Sequence, residues 1–186
     1  MKRYTATLRS ISPYSQSRHY DEPKLEKESS DAYERRTWRN RMHTTQDGEV
    51  YIPPMSFKNC LSEAAKFLSM QIPGKGKATY TKHFEAGVMV IDQLCLGVKA
   101  DAVPGDSLFV PADGVRGSGK RVTKIFPRID QWAGTVDIYV LDETITQEVL
   151  LQHFKEAGSL IGIGRFRPRK NGFFGRFAVD SLVEVA

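Results

Sequence analysis

The sequence of 186 residues lacks the features that define several common classes of protein. Its two cysteines, Cys60 and Cys95, are too few for a disulfide framework and lack the spacing of metal ligands. No apolar run approaches the length of a membrane span, and the N-terminal segment lacks the apolar core of a signal peptide. We therefore expect a cytoplasmic protein (in the host-cell cytoplasm if it is viral) with no membrane partner, no metal and no cofactor.

Two nucleotide-binding motifs are incomplete. Residues Gly114–Arg121 nearly match the phosphate-binding P-loop, but Arg121 stands where a hydroxyl should bind Mg²⁺, and the next residues alternate like a strand. Gly162-Ile-Gly164 opens like a dinucleotide fingerprint, but Arg167 replaces the third glycine and the segment follows a predicted helix. The sequence therefore argues against nucleotide hydrolysis and against nicotinamide binding.

Acidic residues are missing from the segment Gly162–Phe177, which is rich in arginine, phenylalanine and glycine. Cations without acidic neighbours repel one another unless an anion is present. Cations suit phosphates, aromatic rings suit bases, and glycines let a ligand approach the backbone, so the pattern favours single-stranded nucleic acid over a simple edge hairpin. The predicted binding residues are Arg165, Arg167, Arg169, Lys170, Phe173, Phe174 and Arg176, on a flexible loop with Gly162, Gly164, Gly172 and Gly175.

The other basic residues also cluster. The net charge is +5, with acidic residues concentrated in segments 21–31 and 142–148 and basic residues in the loops 74–85 and 99–130. Segregated basic loops favour an anionic polymer as the partner. Trp38, within an arginine-rich predicted helix, is a further candidate for stacking on bases. The additional predicted nucleic-acid contacts are Ser56, Lys58, Lys75, Lys77, Arg116, Lys120, Arg121 and Lys124.

Hydrophobic periodicity predicts one α+β domain over residues 1–186 with the element order β-α-β-β-α-β. This is the ferredoxin-like arrangement, shared by RNA-recognition modules, in which a four-stranded antiparallel sheet carries two helices on one face. Ser56 is expected to cap the first helix, and Gly158 to end the second. The predicted strands are 2–11, 87–97, 132–141 and 174–185, the helices are 56–70 and 146–157, and the insertions are 12–50, which includes a mobile loop over 12–28, and 99–130, which includes a basic ribbon around 122–126.

Two segments resemble a known family. Tyr51–Leu61, which reads Tyr-Ile-Pro-Pro-Met-Ser-Phe-Lys-Asn-Cys-Leu, resembles the entry to the first helix of RAMP proteins, although Asn59 stands where the family often has glycine. Segment 162–176 is similar to the glycine-rich loop that follows the second helix in this superfamily, which supplies backbone subunits and guide-processing nucleases of CRISPR effector complexes. The resemblance implies a backbone subunit or a stand-alone viral (phage) or plasmid relative.

The resemblance also implies that Ser56, Lys58 and the glycine-rich loop face a nucleic-acid backbone. Insertions 12–50 and 99–130 would then correspond to the thumb-like segment and the ribbon that part bases and touch the next subunit. We accordingly hypothesise a non-catalytic protein that binds single-stranded RNA or DNA, with copies that self-associate side by side along the strand. Two alternatives stay open: a metal-independent endoribonuclease with His43 or His83 as the base, and an interaction or inhibitory module of a nucleoprotein complex.

Overall fold

The computed structural model describes residues 1–115, 117 and 119–185. In chain order, the strands are β1 (Lys2–Ser10), β2 (Glu49–Ile52), β3 (Val88–Val90), β4 (Leu94–Lys99), β5 (Gly105–Pro111), β6 (Arg121–Pro127), β7 (Ala133–Val140) and β8 (Phe177–Val185). The helices are α1 (Ser30–Thr37), α2 (Pro54–Leu68), α3 (Thr81–Gly87) and α4 (Gln147–Glu156). A short 3₁₀ turn, Trp38–Arg41, follows α1, and a π-helical turn, Ala157–Ile161, follows α4.

The central sheet has the strand order β3-β7-β1-β8, and all its neighbouring strands are antiparallel. Tyr4, Ala6 and Leu8 alternate along β1 and are completely buried. The ring of Phe177 in β8 contacts Phe57 of α2 and Phe154 of α4, so both helices cover the same face of the sheet. The predicted α+β, ferredoxin-like fold is therefore confirmed.

The apolar run at 87–97 is not the single strand that its composition predicts. Only β3 joins the central sheet, where Val88 and Val90 lie opposite residues of β7. Asp92 and Gln93 then break the run, because their polar side chains favour the exposed bend found there. β4 leaves the sheet and pairs with β2 in a separate two-stranded sheet.

The two helix boundaries that frame the candidate site differ from the expected ones. α2 begins at Pro54, one residue after Pro53, so Ser56 lies inside the first turn and does not cap the helix. Gly158 does not end the second helix, because the chain continues through the π-helical turn to Gly162, whose φ of 72° ends it. The missing Cβ of Gly158 instead allows the backbone of β8 to approach.

In the segment predicted to be a basic ribbon, β5 and β6 pair as an antiparallel hairpin, and β6 packs against α1 and the 3₁₀ turn that follows it. Trp38 lies beneath the base of the hairpin with 6% of its surface exposed, and its ring borders Gly105. Trp38 is therefore part of the core, and the prediction that it stacks on bases is wrong for this structure. None of the helices in the described residues is long and apolar enough to cross a membrane.

Candidate nucleic-acid interface

Residues 162–176, which we call the C-terminal loop, fold back on themselves. The amide of Ile163 donates to the carbonyl of Gly175 (3.0 Å), and that of Phe174 donates to the carbonyl of Phe166 (3.0 Å). A Cβ on Gly172 would overlap the Phe166 carbonyl, and one on Gly175 would overlap the Ile163 carbonyl. The glycines therefore permit close packing of backbone on backbone, which corrects the expectation of an open, flexible loop for Gly162, Gly164, Gly172 and Gly175.

The C-terminal loop is also fastened to the start of the first insertion. The amide of Gly175 donates to the carbonyl of Pro13 (2.7 Å), and the amide of Arg165 donates to that of Ser15 (2.9 Å). Tyr14, which lies between Pro13 and Ser15 in the chain, is fully buried and forms an isolated antiparallel β-bridge with Ile129. Residues 13–16 are thus an ordered support for the loop, which corrects the prediction that they belong to a mobile loop over 12–28.

A cleft of about 300 Å³ separates the C-terminal loop from the N-terminus of α2. Ser56, His43 and residues 162–164 line it. No side chain caps α2, and its first turn contains no acidic residue. Pro54 has no amide hydrogen and the amide of Ser56 donates to the carbonyl of Pro53 (2.9 Å), so it is the positive end of the helix dipole that favours an anion on this side of the cleft.

The cations of the C-terminal loop have fewer acidic partners than positive charges. The carboxylate of Glu63 in α2 forms one ion pair with Arg167 (3.2 Å) and another with Arg169 (3.4 Å). Arg176 donates to two backbone carbonyls, while the side chain of Lys170 is exposed. The expectation that these cations have no acidic neighbour is therefore wrong for Arg167 and Arg169, but one carboxylate shared by two guanidinium groups leaves the loop positive.

Arg165 joins the C-terminal loop to the base of the ribbon. Its guanidinium lies over the ring of Phe126 in β6, 3.5 Å from the ring centroid. The guanidinium of Arg41 lies 5.0 Å from the centroid of the same ring. Burial, together with the neighbouring Arg41, lowers the pKa of Arg165, although Asp106 acts in the opposite direction. The charge of Arg41 is balanced by the buried carboxylate of Glu34, so Arg165 is the guanidinium of this pair that can meet an approaching anion.

Within the ribbon, Lys124 forms an ion pair with a buried carboxylate of the same chain. It forms an ion pair with the buried Glu34 (3.1 Å), which also accepts hydrogen bonds from Arg41 (2.7 Å) and from the amide of Ile125 (2.7 Å). Burial acts to raise the pKa of Glu34, but these hydrogen bonds outweigh it and hold the pKa below its ordinary value. Lys124 therefore helps to fasten the ribbon to α1.

The other ribbon cations are placed differently. Lys120 is exposed just before the start of β6, and Arg121 donates to the carbonyl of Phe109 (2.6 Å) while lying over its ring. Arg116, which is also predicted to contact nucleic acid, lies outside the described residues. Lys120, just before β6, and Arg121 remain candidates for extending a positive track away from the loop.

The lysines near α2 divide into one internal and two exposed side chains. Lys58 donates to the hydroxyl of Ser62 (2.8 Å) and to two carbonyls near the end of α3, the nearer at 2.7 Å. Burial lowers the pKa of Lys58, against the effect of Glu85. Its ammonium group is therefore engaged within the fold, while Lys75 and Lys77 lie in an exposed turn between α2 and α3.

The aromatic residues of the loop form a cluster with one buried and two exposed members. Phe174 is 7% exposed and supports Phe173 (52% exposed) and Phe166 (48% exposed) through edge-to-face contacts. Phe174 cannot stack on a base in this arrangement, whereas Phe173 can. Phe166, one of the phenylalanines of the segment that was not included among the predicted binding residues, is a further candidate, and its backbone has a positive φ of 58°.

The two histidines proposed as a catalytic base, His43 and His83, lie at opposite ends of the fold. His43 lines the cleft, and burial together with Arg18 lowers its pKa. His83 instead pairs with Asp142 (2.6 Å), which lies two residues beyond the end of β7, at the far end of the sheet. Arg18 is another residue near the cleft that the sequence analysis missed, since it belongs to the segment predicted to be mobile.

Comparison with known proteins adds evidence on the fold. No protein-family model and no curated protein matches this chain. The chain is similar to one in the cryo-EM structure of the type III-B Cmr-beta bound to cognate target RNA, with a TM-score of 0.58 and 9% identity, over 99% of this chain and 60% of that one. It spans about 60% of that neighbour's length, and at this identity the likeness concerns the fold alone.

A second similar structure is a chain described as a CRISPR RNA-guided surveillance complex. The match covers 96% of this chain and 67% of that one at 9% identity, with a TM-score of 0.40.

Proposed function

We propose that this chain is a RAMP-type, non-catalytic protein that binds single-stranded nucleic acid across the C-terminal loop. One observation carries the proposal: the loop, the uncapped end of α2 and the base of the ribbon meet on one side of the molecule. The loop contributes five cations, and in the described residues a single carboxylate, that of Glu63, forms ion pairs with them. A polyanion would supply the missing negative charge.

Each part of this surface has a separate role in the proposal. A phosphate would occupy the cleft between the positive end of the α2 dipole, the hydroxyl of Ser56 and the guanidinium of Arg167. Arg169 and Lys170 would contact the next phosphates. Phe166 and Phe173 would stack on bases, an interaction typically worth about 1–3 kcal/mol per base. This distribution predicts backbone-dominated binding with modest sequence preference.

The similarity to a chain from a complex that is described as bound to target RNA supports RNA as the first ligand to test. Fluorescence anisotropy with labelled RNA and DNA oligonucleotides of equal sequence, titrated at several salt concentrations, measures both preference and phosphate number. For single strands the logarithm of affinity falls by about 0.7 per contacted phosphate per logarithmic unit of salt. An affinity that does not change with salt concentration would contradict the proposal.

A matched pair of variants locates the surface. Arg169→Gln/Lys170→Gln removes two exposed charges from the loop, and Lys27→Gln/Lys155→Gln removes two exposed charges elsewhere. The first is expected to weaken binding and to reduce the salt slope by about 1.4, twice the single-phosphate value. The second should leave the slope unchanged; equal effects of the two would place the interface outside the loop.

Side-by-side assembly on the strand is part of the same proposal. Analytical ultracentrifugation with a short and a long oligonucleotide is expected to show one copy on the short strand and several on the long one. A single copy on both would remove this part. If no oligonucleotide binds even at low salt, the alternative of an interaction or inhibitory module with an acidic protein partner takes its place.

The position of His43 favours endoribonuclease activity as a second candidate function. Burial, with a contribution from Arg18, lowers the pKa of His43, so the ring is neutral at neutral pH and able to accept a proton. Incubation of labelled RNA with a chelator tests this, with His43→Ala compared against His19→Ala, whose histidine is exposed. Cleavage that survives the chelator and disappears only in His43→Ala would replace the non-catalytic proposal.

A further inference from the structure

A further hollow, of about 610 Å³, continues the cleft along α2 toward the C-terminus of that helix, and we call it the α2 groove. Asn59 and Glu63 line both the cleft and the groove. Ser62, Lys66 and Phe67 also line the groove, and with Asn59 and Glu63 they recur at the three- and four-residue spacing of a single helix face. Because the two hollows share residues, a strand that leaves the cleft along α2 meets the groove next.

Glu63 stands at the border between the two hollows. One oxygen of its carboxylate pairs with Arg167, which lines the cleft, and the other pairs with Arg169, which lines the groove. The C-terminal loop therefore contributes one arginine to each hollow, and the groove is bounded by the loop as well as by α2.

Phe67 gives the groove a flat apolar face. It lies in the last turn of α2, and 53% of its surface is exposed. A single exposed phenylalanine is ordinary on a protein surface, but this ring also contacts the loop that is proposed to bind phosphates. The guanidinium of Arg169 lies over it, 5.6 Å from the ring centroid. An exposed ring beside a phosphate-binding cation is the combination on which single-stranded nucleic acid stacks its bases.

The charges of the groove suit a neutral group better than a phosphate. Two cations, Lys66 and Arg169, line it together with two carboxylates, Glu63 and Glu85. A phosphate would meet both carboxylates, whereas a nucleobase has no net charge and carries hydrogen-bond donors and acceptors on its edge. In the described part of the chain, the side chains of Asn59 and Lys66 have no hydrogen-bond partner and no ion pair, so both can bond to a neutral polar edge.

We infer that the α2 groove is a nucleobase-binding subsite, in which a base stacks on the ring of Phe67 while Arg169 contacts the phosphate of the same nucleotide. This inference rests on the proposed function, since the C-terminal loop must first bind the strand. It adds that the strand runs along α2 toward Lys66, and that Phe67 is a stacking residue in addition to Phe166 and Phe173.

Fluorescence anisotropy with labelled RNA tests the subsite through Phe67→Ala. The stacking of one base accounts for about 5- to 150-fold in affinity, so a loss of this size is expected at every salt concentration. The salt slope should stay unchanged, because the substitution removes no charge. A normal melting temperature is expected as well, since the ring is half-exposed.

Val183→Ala is the matched control. Val183 is 57% exposed and lies opposite Thr5, on the face of the central sheet that is turned away from α2. This substitution should leave the affinity unchanged. An equal loss of affinity in Val183→Ala and Phe67→Ala would overturn the inference.

An oligonucleotide of the same length made of abasic nucleotides distinguishes stacking from any other contribution of Phe67. The wild type and Phe67→Ala should bind this strand with equal affinity, because it has no base to place on the ring. If Phe67→Ala instead weakens binding of the normal and the abasic strand equally, the ring shapes the surface without contacting a base, and the inference is wrong.

Phe67→Trp supplies a direct signal from the groove. It keeps a stacking ring and adds an exposed indole to a chain whose two tryptophans, Trp38 and Trp132, are buried. Affinity should be retained, and the added fluorescence should be quenched by the normal strand but not by the abasic one. Equal quenching by both strands, or by neither, would contradict stacking at this position.

The outcomes also separate the subsite from the function on which it rests. If the wild type binds RNA and Phe67→Ala binds it equally well, the subsite is refuted while the proposed function stands. If the wild type binds no oligonucleotide even at low salt, the proposed function fails and the subsite fails with it.

Discussion

Replacing Glu63 by glutamine separates the binding role of the loop arginines from their structural role. The carboxylate neutralises part of the charge on Arg167 and Arg169, so it opposes any phosphate that those two side chains contact. A phosphate on Arg167 would lie roughly 6 Å from this carboxylate, and at an effective dielectric constant of about 40–80 the repulsion is about 0.7–1.4 kcal/mol. Glu63→Gln is therefore expected to tighten binding roughly 3- to 10-fold at low salt.

The same substitution should slightly destabilise the free protein. Partly exposed ion pairs contribute about 0–1 kcal/mol, which for a chain of this size corresponds to a melting-temperature loss of up to about 4 °C. Anisotropy titrations and thermal melts of the wild type, Glu63→Gln and the exposed control Glu26→Gln measure both effects. The diagnostic result is tighter binding in a less stable protein, and weaker or unchanged binding in Glu63→Gln would refute the reasoning.

Three further predictions concern the supports of the candidate site. Glu34→Gln is expected to destabilise the protein by about 3–5 kcal/mol in urea unfolding, because it leaves Arg41 without its buried partner. Since the folded-state pKa of Glu34 is lowered, its stabilisation is present above pH 4.5 and is lost as the pH falls through the lowered pKa; a pH series of melts should therefore show less acid sensitivity in Glu34→Gln than in the wild type. Gly175→Ala, at a φ of 74°, should cost at least about 1 kcal/mol in unfolding experiments and also weaken nucleic-acid binding, because its Cβ would overlap a backbone carbonyl. Phe173→Ala should weaken binding by about 1–3 kcal/mol with little change in the melting temperature, whereas Phe174→Ala should lower the melting temperature.

The fold was predictable because the buried residues of each core element recur at short, regular intervals along the sequence. Tyr4, Ala6 and Leu8 alternate along β1, and Leu61, Ala64 and Ala65 recur at helical spacing along α2, so each pattern is local. Where the pattern has no period, as in the continuous apolar run at 87–97, residue types alone did not reveal the bend that divides it between two sheets.

The candidate site was predictable in composition but not in charge pairing. Glu63 and Arg167 are 104 positions apart, and Glu34 and Lys124 are 90 apart, so no local pattern could reveal that these cations have acidic partners. Trp38 was misplaced for a similar reason, since its burial depends on a hairpin that begins at Gly105. Cations and aromatic residues can thus be counted from a sequence, but which of them face solvent is decided by contacts between distant segments.

The proposal of the C-terminal loop as the binding surface follows from how each surface of this fold balances its charges. RNA-recognition modules stack bases on aromatic residues of the sheet itself. Here the exposed side of β1 instead carries arginines that are matched one to one, with Arg3 on Asp137 (2.5 Å) and Arg9 on Asp180 (2.9 Å). A phosphate approaching that face would have to displace a carboxylate from each arginine. In the described part of the chain, one carboxylate forms ion pairs with the five cations of the C-terminal loop, so a strand bound there would gain attraction without breaking a one-to-one pair, and the sheet face would remain a neutral outer surface.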